Sequence, residues 1–163
     1  MMSAPTDILI SVDGKHAANM LLGKKTVELR RRRLHVEPGT RVWVYSKLPR
    51  GHVELVATVD QVLAASPTTI WRAYGSRSAV SWSEFQSYFR NASTGYAILF
   101  RQVLPLQRAI RLDTIRRISS NFHPPQFFKR LPATCPELEF FLGACSSSRG
   151  VYVGRGPRSL TST

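Results

Sequence analysis

Residues 24–33, KKTVELRRRR, bring together six cations and one acid, and 24–32 alternates in the manner of a β-strand. Successive strand side chains point to opposite faces, so Val27 and Leu29 share one side while Glu28, Arg30 and Arg32 share the other with Thr26. Such a segment folds only if the apolar pair meets a core and the charged row is left at a surface or against an anion. Lys25, just past Gly23, reaches the same row from the turn. Four consecutive arginines repel one another, and a bound anion relieves that repulsion. The plainer reading is a solvated strand face with a weak Glu28–Arg30 pair worth about 0–1 kcal/mol.

The surrounding chain predicts more strands separated by short helices. DILISV (7–12) is a β-type run, and HAANMLL (16–22) has helix formers stopped by Gly23. VEPGTRVWVYSKLP (36–49) supplies a Pro-Gly turn, then a strand in which Val42 and Val44 alternate with Trp43 and Tyr45. HVELVATVDQVLAA (52–65) and GYAILFRQVLPL (95–106) read as strands, and 107–118 fits either a continued strand or a helix. Ser66 before Pro67 suits an N-cap and first helical position, and Ser81 with Glu84 forms a capping box ahead of Phe85, Tyr88 and Phe89 at helical spacing. That stripe is expected in a core, as is at least one of Trp43 and Tyr45. The predicted class is α+β, a small mixed β-barrel with short flanking helices, with no doubly wound parallel sheet.

At 163 residues with 43% apolar content, one domain with a real core is expected. No run approaches the roughly 18 apolar residues of a membrane helix, and the N-terminus lacks the pattern of a secretory signal, so a cytoplasmic protein is expected. From Pro132 the composition turns to Pro, Ser, Gly and Thr. The domain is therefore bounded at 7–131, with 132–163 as a C-terminal extension, largely flexible from about 143. Cys135 and Cys145 have no metal-type spacing, and a disulfide between them is open; His16, His35, His52 and His123 are scattered. No metal and no cofactor are expected. No nucleotide-binding glycine loop appears either.

The charge is the informative part of the composition. Twenty-three basic residues stand against ten acids, 18 of the basic ones are Arg, and 20 of them fall in residues 1–131 with eight of the acids. The field thus belongs to the folded body, and arginine grips phosphate bidentately. Glu28 inside the patch repels a phosphate backbone. It suits instead the orientation of Lys25 and Arg30, or acceptance of a hydrogen bond from a base amino group.

Gly23, Lys25, Glu28 and Arg30 together meet the pattern G-x-K-x-x-E-x-R, and with ILISVDGKHAANMLLGKKTVELRRR, RVWVYSKLP, TTIWRAYG, SWSEFQSYF, GYAILF and HPPQFFKRL the chain resembles the ASCH domain family of the PUA-like superfamily over residues 7–131. The resemblance implies a PUA-like barrel with a cleft around the motif and a role in binding RNA or another nucleic acid. It places Lys25, Glu28 and Arg30 in that cleft, Tyr45 and Ser46 near its wall, and Gln126 and Phe127 at its closure. The chain departs from the pattern at Gly14, His16 and Leu48. Arg31, Arg32 and Arg33, with Lys129 and Arg130 from the basic, aromatic stretch 115–130, are expected to extend the nucleic-acid contact.

The expected partner is RNA, with DNA or a protein as alternatives, both suggested by the family's link to transcription regulation; no membrane is implied. The competing expectation is a hydrolase of RNA or of a modified nucleoside, either ribonuclease or amidohydrolase, using Lys25 and Glu28. Relatives that hydrolyse N4-acetylcytidine use a lysine, a threonine and a glutamate. Lys25 matches the lysine, but Glu28 occupies the threonine position and GSRSAV (75–80) offers no acid.

Overall fold

Alternation along the strands sorts the apolar side chains onto two faces of one curled sheet. Ile8, Ile10 and Val12 of β1 (Asp7–Val12) enter one core with Val42 and Val44 of β3 (Arg41–Ser46), while Leu9, Trp43 and Tyr45 enter another on the opposite face. The computed structural model describes residues 3–145 and the two-residue strand 151–152. The other elements are α1 (Gly14–Leu21), β2 (Val27–Arg30), β4 (His52–Ala65), α2 (Pro67–Tyr74), α3 (Trp82–Tyr88), β5 (Gly95–Arg111), α4 (Leu112–Ile118), β6 (Phe128–Leu131), α5 (Pro136–Gly143) and β7 (Val151–Tyr152).

The strand order is β2-β5-β4-β3-β1-β6, with β7 also on β5. Only the β1–β3 pair is parallel among the described pairings; the chain between them, holding α1 and β2, makes the crossover. The long strands β4 and β5 slip register after Val53, Thr58 and Val59, and such bulges bend a sheet. The result is the expected α+β fold, a mixed sheet curled into a half-barrel in which β2 and β6 end the strand order and do not pair with each other.

Element ends follow local chemistry. Ser66 caps α2 by accepting from Thr69 N, and Ser81 and Glu84 cap α3 reciprocally. β2 is shorter than the 24–32 expected. The Lys24 and Lys25 amides turn back to Asn19 O at the end of α1, and β5 offers its last partner to Arg30 at Tyr96. The ambiguous stretch 107–118 divides at Arg111, because Arg111 pairs with His52, the first residue of β4.

The aromatic stripe of α3 also divides: Phe85 and Phe89 are buried with Val27 and Leu29, whereas Tyr88 is 42% exposed. Residues 132–145, set apart above as an extension, contribute to the second core. Leu138 and Phe141 of α5 are buried there, with Phe141 5.4 Å from Trp43 between ring centres. The remainder of the expected flexible tail, 146–150 and 153–163, lies outside the described residues. Cys135 and Cys145 are not bonded to each other. No described helix is long and apolar enough to cross a membrane.

Candidate functional site

Gly23, at φ +74°, ends α1 in the left-handed region that glycine enters without a Cβ clash. The chain then doubles back, with Lys25 N bonded to Asn19 O and Thr26 N to Arg77 O, before β2 starts. This path brings Lys25 across the mouth of the half-barrel. Its side chain is sealed at 2% exposure, and Nζ donates to Ser78 O at 3.0 Å.

Glu28 is paired in β2 with Ile98, so it faces the same side as the Ile98 core. A carboxylate there needs cations. Lys25 Nζ lies 3.3 Å from Glu28 Oε2 and Arg30 Nε 3.2 Å from Oε1. The Arg30 contact is an ion pair without hydrogen-bond alignment, since Nε is sealed and makes no hydrogen bond. Burial raises the Glu28 carboxyl, but the Lys25 and Arg30 charges, with His16, outweigh it and hold it below the ordinary carboxylate range. Glu28 is therefore ionised at neutral pH.

These three residues line a cavity of about 1180 Å³ that opens between β2 and the segment leading into β6. Arg31, Arg32 and Arg33 continue one wall. Arg31 donates to Arg90 O at 3.1 Å, and the Arg32 guanidinium lies 4.8 Å from the centre of the Phe127 ring. The opposite wall carries Ser11, whose hydroxyl donates to Pro125 O, together with Asp13 and Lys47. Arg30 Nη1 reaches Phe127 O at 3.4 Å and so ties the two edges of the half-barrel across the cavity. The lining holds more cations than acids, with the carboxylate of Glu28 on the inner side and guanidinium groups outside it.

Of the residues named from sequence, Lys25, Glu28, Arg30, Arg31, Arg32, Arg33, Gln126 and Phe127 line this cavity. Tyr45 and Ser46 do not. Tyr45 shares the Trp43 face and is buried in the second core, and Ser46 donates its hydroxyl to Glu54. Lys129 and Arg130 also lie elsewhere: Lys129 pairs with Glu137 at 3.4 Å and Arg130 donates to His35 O. Phe128 lines the cavity in their place.

Sequence reasoning missed His16 and Tyr88. Tyr88, read as part of a core stripe, lines the cavity and donates to Leu29 O at 3.4 Å; burial raises its phenol above the ordinary value. His16 also lines the cavity, with Nδ1 sealed and unpartnered. Burial, then the Lys25 charge, lower its imidazole, so it is neutral at pH 7. The signal for His16 was its place among the departures from the ASCH pattern, on the helix that ends just before the motif. Among the described residues no three His, Cys, Asp or Glu side chains converge as a metal set.

No family model matches the chain. An ASCH domain-containing ribonuclease of Zymomonas mobilis is 32% identical over 120 residues, which cover 74% of this chain and 80% of that protein. The crystal structure of ASCH from Zymomonas mobilis superposes with a TM-score of 0.81 at 30% identity, over 86% of this chain and 96% of the other. The human THYN1 protein, solved in complex with DNA containing 5-methylcytosine, shares the fold at a TM-score of 0.52 and 10% identity, over 85% and 96% of the two chains.

Proposed function

We propose that this chain, which belongs to the ASCH domain family, binds single-stranded RNA in the cavity between β2 and the segment leading into β6. The observation that carries this reading is the arginine wall, Arg30 to Arg33, built outside a buried Lys25–Glu28–Arg30 set. Guanidinium groups at the wall suit phosphates, whereas the ionised Glu28 behind them repels a phosphate and accepts hydrogen bonds from a base edge or a ribose hydroxyl. Phe127, half exposed, and Tyr88 give flat faces at the rim on which an unpaired base stacks. A duplex keeps those base faces covered.

Fluorescence anisotropy with labelled single-stranded RNA over a range of salt tests the reading. Every phosphate that the protein no longer neutralises lowers the slope of log K against log salt by about 0.7 for a single strand. Arg31→Ala with Arg32→Ala is expected to weaken binding and flatten that slope. A wild-type affinity indifferent to salt, or a double variant that binds as wild type, sinks it. Competition with duplex DNA of equal length separates RNA recognition from a DNA-directed regulatory role.

A second reading, RNA cleavage, is supported by the 32% identity to a relative named as a ribonuclease. In it, the ionised Glu28 takes the proton of a ribose 2′-hydroxyl as that oxygen bonds to the adjacent phosphorus, the bond from phosphorus to the 5′-oxygen breaks with Lys25 giving that oxygen its proton, and Arg30 faces the negative charge on the phosphoryl oxygens. Glu28→Gln distinguishes the two: cleavage abolished with binding kept supports catalysis, and no cleavage by the wild-type protein leaves binding alone.

A further inference from the structure

A second concave surface lies beyond the loop that follows β3. Lys47 faces the motif cavity, whereas the next residues, Leu48 to Arg50, line a separate groove with Arg111, Arg116 and Arg117. Gly51 takes φ +63°, and its carbonyl accepts from Leu112 N at 3.1 Å, which pins the loop to the start of α4. A Cβ at Gly51 would stand 3.0 Å from Leu48 and 3.6 Å from Tyr45 Oη, so the Tyr45 hydroxyl ends directly beneath this loop.

Tyr45 is only 3% exposed, and its hydroxyl makes no described hydrogen bond. Its oxygen lies under Gly51 at the floor of the groove, near enough to Arg116 for that charge to act on it. Burial raises its phenol, with the Arg116 charge opposing, and it stays a protonated donor at neutral pH.

The groove's charge is poorly compensated. Arg111 meets Asp113 at 3.5 Å with both side chains mostly exposed, a weak pair. Arg50 reaches Glu54 at 3.1 Å, but that carboxylate also accepts from Ser46 and contacts His52. Arg116 is held by donating Nε to Phe122 O, and Arg117 has no acidic partner among the described residues.

We propose that this groove holds a backbone phosphate of the same RNA strand that enters the motif cavity, with Arg116, Arg117 and the Tyr45 hydroxyl as its donors. The inference rests on the RNA-binding reading above. Lys47 and Leu48 are adjacent in the chain and face the two sites, so a strand leaving the cavity over Lys47 arrives at the groove without a long detour. Leu48, 78% exposed, stands on the ridge between them as an apolar surface for a sugar or base.

The test compares RNA of about ten nucleotides with RNA of about three, since single-strand sites span roughly 4–16 nucleotides. In Arg116→Ala with Arg117→Ala, both exposed positions, the longer RNA is expected to lose roughly tenfold in affinity and about 0.7 in salt slope, the share of one phosphate, with the shorter one unaffected. Tyr45→Phe, which preserves the buried ring, is expected to weaken the longer RNA alone. Unchanged affinity and slope for the longer RNA, while Arg31→Ala with Arg32→Ala still weakens both, overturns the groove and leaves the cavity reading intact. Binding of poly-glutamate at the groove as tightly as RNA also overturns it. If the wild-type protein binds no RNA of either length, the cavity reading and the groove inference that rests on it fail together.

Discussion

Lys25 Nζ lies 3.3 Å from Glu28 Oε2 at the mouth of the half-barrel, with both side chains nearly sealed from water. The two are three residues apart, yet no helix brings them together. The return of the chain to Asn19 O after Gly23 lays Lys25 alongside the strand that carries Glu28. A buried pair of this kind is weak support for stability, but removing one partner strands the other charge in a poorly solvated place.

Lys25→Met leaves Glu28 facing Arg30 alone and is expected to destabilise the fold, by less than the loss of about 3–5 kcal/mol for a buried charge with no cation left. Adding Glu28→Gln to Lys25→Met should recover part of that loss, because the stranded carboxylate is gone. Urea unfolding of the two single variants and the double variant measures the coupling, expected at about 0.5–3 kcal/mol. Strict additivity of the two losses contradicts the pairing.

Two windows of pH dependence follow from the same cluster. His16 has its folded-state pKa lowered, so as pH falls the unfolded chain takes up its proton first, near the ordinary value of about 6.5. Stability from His16 is full above that pH and is lost as pH drops toward the folded value. Glu28 is lowered in the same sense, and its share persists down to about pH 4.3 and is lost below it. Stability measured from pH 7.5 to 3 should therefore fall in two stages, with His16→Asn removing the upper stage and Glu28→Gln reducing the lower.

Much of the scaffold was legible because it rests on local rules. The capping box at Ser81 and Glu84, the stop at Gly23 and the opposite facing of Val42 and Trp43 are written in neighbouring residues. What could not be read depends on distant pairing. The shortness of β2 is set by where β5 begins, and the position of Tyr45 is set by which face of the sheet α4 and α5 cover. The helix at 136–143 was hidden by the Pro, Ser, Gly and Thr around it; half of its residues are Leu or Phe, and the buried pair Leu138 and Phe141 gains meaning only against the core that holds Trp43.

Phe141→Ala tests that last point. Removing a fully buried ring beside Trp43 is expected to cost about 3–5 kcal/mol, comparable to a central core residue. Thermal or urea unfolding checks it. A change below about 1 kcal/mol, the scale of an ordinary surface substitution, places 132–145 outside the cooperative unit.

The rim of the cavity separates stacking from charge. Arg32 lies over Phe127, so the ring both holds the guanidinium in place and leaves a half-exposed face for a base. Phe127→Leu keeps apolar bulk but removes the flat face. Stacking on an aromatic contributes about 1–3 kcal/mol per base. The variant should therefore weaken single-stranded RNA by roughly that amount while leaving the salt slope close to wild type, because every arginine is kept. Arg32→Ala should instead lower both affinity and slope. Anisotropy titrations of the two variants at several salt concentrations give both quantities, and a Phe127→Leu variant that loses slope as Arg32→Ala does would show the ring acting only through the arginine it carries.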